Sequence, residues 1–463
     1  MEYEELNGIK LLSLWGMNVA VSKYGKYYKQ VLVLGLPILL GQLGVIITGF
    51  VDTIMVGQYA TDALAAASFV NSLFNLMNIV CLGFSYGLTP IVGAYYGKGE
   101  TARIGEAVKA GLVLNVIFGI FCMGLMLLCY VFLDEMGQPE ELLPLMRPYY
   151  IVILLSMLPV VIVNVFRQFT DAITDTKVAM VILLSGNALN IFGNWLLIYG
   201  NWGCPEWGLY GAGVSTLIAR VVMLVAYCLC LLKFLRYKEY LRGFIAGIVS
   251  LKDLKLIGKL SLPVSMQMGM ETAIFTFATV LVGWLGAEYL AAYQVILALG
   301  TIGFMVYYSF GASLSIMVAN YSGVNDTVQV RRSAAAGYHV ILASAVLASL
   351  LVLLGGKGIL GLFTPDEIVV NIAYSLIIPW IVYQFGDATQ VAYANALRGI
   401  KCVMPVMKFA FIAYVVIGLP AAFLFAFPFK GGIIGIYLSF SVALFVAGVL
   451  FMQCFYKEIS RKG

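Results

Sequence analysis

The sequence predicts an all-α membrane protein of twelve transmembrane helices, in two six-helix bundles related by a pseudo-two-fold axis along the membrane normal. Three observations predict it: a composition too apolar for a water-facing surface, twelve long apolar runs spread along the chain, and a repeat relating its two halves. Of 463 residues, 62% are hydrophobic and only 11% charged, against about 25% charged in soluble domains.

The net charge of +5 does not point to nucleic acid, because Lys and Arg gather in the short gaps between apolar runs, as the positive-inside rule expects. The eight Cys form no CxxC pair and none has metal-ligand spacing from a His. Cys81, Cys122, Cys129, Cys228 and Cys230 fall within apolar runs and read as small core residues. At the N-terminus, Glu2, Glu4 and Glu5 precede a short apolar run at 11–21 broken by Gly16 and Asn18, unlike a cleavable signal. Both an interfacial helix and a tail fit that run.

A helix needs about 20 mostly apolar residues to cross the hydrocarbon, and long continuous apolar runs cross it as helices. In chain order the spans are expected at 31–57, 67–93, 107–132, 148–167, 178–200, 209–232, 257–284, 289–320, 334–355, 368–393, 404–427 and 432–456. The basic residues test the count. Segments before the first span and after every even-numbered span, together with the span ends that border them, hold all 28 Lys and Arg except Arg147, Lys357 and Lys430 on the other face, and Arg220 well within a span. This asymmetry puts both termini in the cytoplasm.

The longest polar connection divides the spans six and six. It yields a cytoplasmic tail (1–30), an N-lobe (31–232), a cytoplasmic linker (233–256), a C-lobe (257–456) and a second tail (457–463). The lobes repeat at an offset of 226: Pro37 matches Pro263, Val56-Gly57 matches Val282-Gly283, Tyr95 matches Tyr321 and Gly97 matches Gly323. An even number of spans per half makes the repeat parallel. Such repeats set a substrate path between two bundles that rock against each other, whereas channels more often arise from several subunits around a pore. The pattern favours a transporter.

Acids inside a span cost about 2.5–3.5 kcal/mol on insertion scales, so each needs a reason. Asp52 lies near the outer end of the first span, Glu271 in the middle of the seventh and Asp387 deep in the tenth. Arg220 is the one basic residue expected well inside a span and neutralises one acid at most. Lone membrane carboxylates suit cation or proton sites, since either occupant removes the burial cost. Asn190 and Asn194 share a helix face in the fifth span, and Tyr383 and Asp387 share one in the tenth. The only His, His339, reads as a packed or hydrogen-bonded residue.

The string Val51-Asp52-Thr53-Ile54-Met55-Val56-Gly57, followed by Leu64-Ala65-Ala66 and Gly93-Ala94-Tyr95-Tyr96-Gly97-Lys98-Gly99, resembles the multidrug and toxic compound extrusion (MATE) family. In the second half, Ala291-Ala292-Tyr293-Gln294-Val295 and Ala394-Asn395-Ala396-Leu397-Arg398-Gly399 fit the same family. The resemblance covers about 30–456 and, with acids in the first, seventh and tenth helices, looks like the NorM branch. It implies a cation site in the C-terminal lobe at Glu271, Asp387, Tyr383, Asn190 and Asn194, with Na⁺ held at Glu271 and Asp387 if Na⁺ is the ion. Asp52 would be a second cation or substrate carboxylate in the N-lobe. The resemblance also implies export of amphipathic, often cationic organic compounds across the inner (plasma) membrane. Na⁺ or H⁺ would be exchanged, and no other cofactor is expected. The chain departs from the family at Tyr293, where many relatives carry His, and near 168–176, where the usual Gly is absent.

The expected function is therefore secondary active efflux by antiport with alternating access, Pro37 and Pro263 supplying helix bends. A lipid-linked oligosaccharide flippase or polysaccharide exporter of related architecture is the alternative. It would need a cleft rich in Arg and Lys for phosphates, and only Arg220 is available within a span. A membrane enzyme would need a His or metal cluster beside an acid. Two lobes supply a complete path, so a monomer suffices. The oxygens at the acids permit Na⁺ and H⁺ alike.

Overall fold

The computed structural model describes residues 23–462; most of the expected N-terminal tail, with its apolar run at 11–21, lies outside the described residues. The first crossing is α1 (Gly25–Tyr59). The second is α2 (Thr61–Ser85) continued by α3 (Thr89–Lys98), and the next four are α4 (Thr101–Val131), α5 (Leu143–Ala172), α6 (Thr176–Tyr199) and α7 (Gly208–Lys233). A short α8 (Lys238–Ala246) precedes the second half, which opens with α9 (Leu251–Gly283), α10 (Ala287–Gly323) and α11 (Thr327–Leu360). There follow α12 (Glu367–Ser375), α13 (Ile377–Gly399), α14 (Val403–Ala410), α15 (Leu419–Ala426) and α16 (Gly432–Lys462). Among the described residues, 11 of these stretches are long and apolar enough to cross a membrane, and the pair α12–α13, bent by 49°, completes the twelve.

The breaks have local causes. Pro379, Pro90 and Pro420 each lack an N–H and push their rings against the carbonyl four residues earlier. The tenth crossing accordingly bends at Leu376, the second turns through Tyr86–Leu88 before α3, and Phe411–Gly418 opens into a wide π-type stretch between α14 and α15. Three helices of the second half start on side-chain caps. Ser250 Oγ accepts from the Asp253 amide at 3.1 Å, Asp326 from Gln329 at 2.9 Å, and Asp366 from Ile368 at 2.9 Å. The polar connection between the halves is folded. Its α8 lies against α4, where a Cβ on Gly105 would meet the Tyr240 carbonyl at 2.2 Å, and Lys109 Nζ donates to the Gly247 carbonyl at 2.8 Å.

Each half opens with a helix whose start packs into the other half. Tyr27, Val31, Leu34 and Ile38 of α1 belong to the core otherwise built by the second half. Ile257, Leu260 and Val264 of α9 belong to a core of the first. Ser313 Oγ donates to the Val31 carbonyl at 3.0 Å and Tyr321 to Gln30 at 3.0 Å, and the Tyr28 hydroxyl meets His339 Nδ1 at 2.9 Å. The seam is tightest at two glycines related by the repeat. A Cβ on Gly97 would sit 2.0 Å from the Asn320 carbonyl oxygen, and one on Gly323 would sit 2.2 Å from that of Ala94. The two contacts are images of each other under the 226-residue offset, so the pseudo-two-fold passes between α3 and the end of α10.

Candidate cation and coupling sites

Among the described residues, the three acids singled out by the sequence fall in two clusters, one in each half. In the second half, Glu271 on α9 lies close enough to Asp387 on α13 for Asp387 to feel its charge. Gln267, one turn earlier on α9, donates Nε2–H to Glu271 Oε2 at 2.9 Å. Gln390 on α13 donates to the hydroxyl of Tyr414 and lies within reach of Glu271. Asp387 is 1% exposed and Tyr383 9%. Among the described residues no donor reaches Asp387 Oδ2, and the Tyr307 hydroxyl and both amide atoms of Gln384 are also buried without partners. Tyr307 and Tyr383 lie within electrostatic reach of Asp387. An unsatisfied buried carboxylate oxygen is costly. Carboxylate, amide and phenol oxygens around it suit a proton or a hard cation.

In the first half, Asp52 on α1 is held by α6. Asn194 Nδ2 donates to Asp52 Oδ1 at 2.5 Å. With its nitrogen turned to the carboxylate, Asn190 donates to both Asp52 oxygens at 3.2 and 3.3 Å and accepts from Thr216 at 3.2 Å, the orientation that satisfies every partner. Arg220 on α7 donates to Ser156 Oγ at 2.6 Å and lies within electrostatic reach of Asp52. This corrects the expected grouping. Asn190 and Asn194 complete the Asp52 cluster and do not join Glu271, Asp387 and Tyr383. Their spacing fixed a shared face, but α6 turns that face to α1 and α7 of its own bundle.

Arg167 and Arg398, expected from the sequence among the cytoplasmic segment charges, are 6% and 7% exposed. Arg167 pairs with Asp171 at 3.6 Å and reaches Gln42 at 3.5 Å. Arg398 donates to Gln267 Oε1 and to Asn395 at 3.4 Å, with its guanidinium 5.8 Å from the centroid of the Tyr86 ring. Both arginines line a cavity of about 20 Å³ between the halves, room for one water. The signal for Arg398 was present: it follows Asp387 by about three helical turns on one face. In the turn after α5, within the 168–176 stretch, Thr174 takes the left-handed conformation at φ 68°. Lys401 does the same at φ 65° in the corresponding turn of the second half.

Comparison with known proteins agrees with this architecture. The MatE family model matches twice, over residues 37–196 and 263–424, so the two matches start on the repeated prolines Pro37 and Pro263. A probable multidrug resistance protein NorM of Mannheimia succiniciproducens is 30% identical over 439 residues, covering 93% of each chain. The multidrug resistance protein NorM of Vibrio cholerae is 30% identical over 443 residues, covering 94% of this chain and 96% of its own. Among solved structures, a Vibrio cholerae MATE transporter superposes with a TM-score of 0.84 at 16% identity, covering 95% of this chain and 98% of its own. A eukaryotic MATE transporter does so with a TM-score of 0.84 at 17% identity, covering 95% and 99%. Two copies of one family model, set on two bundles whose first helices each start in the other half, establish that this chain belongs to the MatE family of membrane transporters.

Proposed function

We propose that the chain is a secondary active multidrug efflux transporter that exchanges amphipathic, often cationic organic compounds for Na⁺ or H⁺ by alternating access. The moving bodies are an N-lobe (31–232) and a C-lobe (257–456), joined by the linker 233–256. The protein works as a monomer in the inner (plasma) membrane with both termini cytoplasmic. The observation that carries this reading is the buried, donorless Asp387 Oδ2 beside Glu271. A coupling cation there relieves the burial of two neighbouring acids, and relief that differs between conformations is what drives a switch. Glu271, Asp387 and Tyr383 take the coupling cation; Asp52, with Asn190 and Asn194, forms a second cation or substrate site. The inter-bundle hydrogen bonds lie toward the end that carries both termini.

The test is efflux of a fluorescent cation such as ethidium from proteoliposomes under an imposed Na⁺ or pH gradient. Export driven by either gradient alone supports antiport and names the ion. Export that ignores both overturns it.

A further inference from the structure

Glu271 is wired to the seam between the bundles. Gln267 Nε2–H donates to Glu271 at 2.9 Å, and Gln267 Oε1 accepts from Arg398 Nη2. Arg398 in turn lies over Tyr86, which the first half contributes from the turn between α2 and α3. A guanidinium has donors only, and an amide has one donating and one accepting end. The chain therefore runs one way, Arg398 to Gln267 to Glu271, with the Glu271 oxygen that faces Gln267 as its final acceptor. Around the carboxylate stand Asp387 and Tyr383 from α13, Tyr414 from the π-type stretch, and Arg398.

A cation on Glu271 changes what the neighbouring amide must offer. A metal ion seeks the amide oxygen as a ligand, and a carboxyl O–H seeks it as an acceptor. An occupant on Oε2, the Glu271 oxygen that faces Gln267, draws Gln267 Oε1 toward it and turns the NH₂ toward the guanidinium, donor against donor. Arg398 then loses its acceptor at Gln267. We infer that Gln267 is an amide switch through which cation occupancy of Glu271 releases Arg398 and loosens the seam at Tyr86. The inference rests on the proposed reading that Glu271 takes the coupling cation. Gln267 and Arg398 are positioning residues in this scheme. They report occupancy of the site to the interface.

The test uses the full chain in lipid nanodiscs, spin-labelled at Trp202 and Leu362, exposed positions outside the crossings of the first and second halves. Distance distributions are recorded with and without saturating Na⁺, and at low against neutral pH. The unmodified switch gives a cation-dependent shift. Gln267→Leu breaks the link in both states, so its distribution loses at least tenfold of that dependence and resembles the cation-loaded parent. Gln267→Glu keeps an acceptor on Arg398 whatever occupies Glu271, so its distribution stays with the cation-free parent. Wild-type shifts in both variants would overturn the switch while leaving the cation site standing. A wild-type shift in Glu271→Gln would instead overturn the site and the switch together.

Discussion

Asn194 donates to the Asp52 carboxylate at 2.5 Å, joining the fifth crossing to the first within one bundle. The acid so held is distinct from the Glu271–Asp387 pair of the other bundle. Hydrogen bonds to charged groups are worth about 1.5–3 kcal/mol. Asn194→Ala is expected to destabilise the protein by about that amount, read as a lower melting midpoint in detergent. Because distant sites act independently, cation affinity at Glu271 should stay within about twofold. A large loss of that affinity would contradict the two-cluster arrangement.

Asp387→Asn is expected to separate stability from function. Its Oδ2 is buried without a donor, so replacing the charge with an amide removes an unmet requirement. Without a coupling cation the variant should be as stable as the parent or more so, by about 1 kcal/mol. Coupled efflux should fall at least tenfold. Thermal unfolding and a transport assay on one preparation check both halves.

Thr174 is a β-branched residue at φ 68°, a conformation that costs about 1–2 kcal/mol. Its hydroxyl makes only a long contact, 3.4 Å, with Tyr96. Thr174→Gly should stabilise the protein by about 0.5–1 kcal/mol, part of the relieved strain being lost to the freer unfolded chain. Transport should be unchanged. A lower melting midpoint would show that the turn is not strained.

Gly97→Ala and Gly323→Ala place a methyl group within 2.0 and 2.2 Å of carbonyl oxygens across the seam. Backbone cannot yield as a side-chain tip does, so the bundles must separate at this end. Both variants should expose buried seam residues such as Ser313 to water-soluble thiol reagents after Ser313→Cys. Both should lower efflux at least tenfold. Unchanged labelling would show that the seam accommodates the methyl groups without separating.

The crossings were legible because lipid leaves few alternatives. Apolar length predicts all twelve stretches, and the structure mainly starts the helices earlier than expected, as in α1 and α9. The three acids were legible because a charge in such a run is conspicuous. Their partners were not. The spacing of Asn190 and Asn194 defines a face but not the helix opposite, so they were grouped with the wrong acid. Arg398 looked like a loop charge because the tenth crossing runs to Gly399, past its expected end. Gln267 and Gln390 are neutral and stand out only once Glu271 is seen between them.

The most direct test of the account is gradient-driven ethidium efflux by the parent, Glu271→Gln and Asp387→Asn in matched proteoliposomes, with incorporation verified. The account predicts that both variants enter the membrane in normal amounts and lose coupled efflux at least tenfold under whichever gradient drives the parent. Parent-level efflux in both would contradict a coupling site at Glu271 and Asp387.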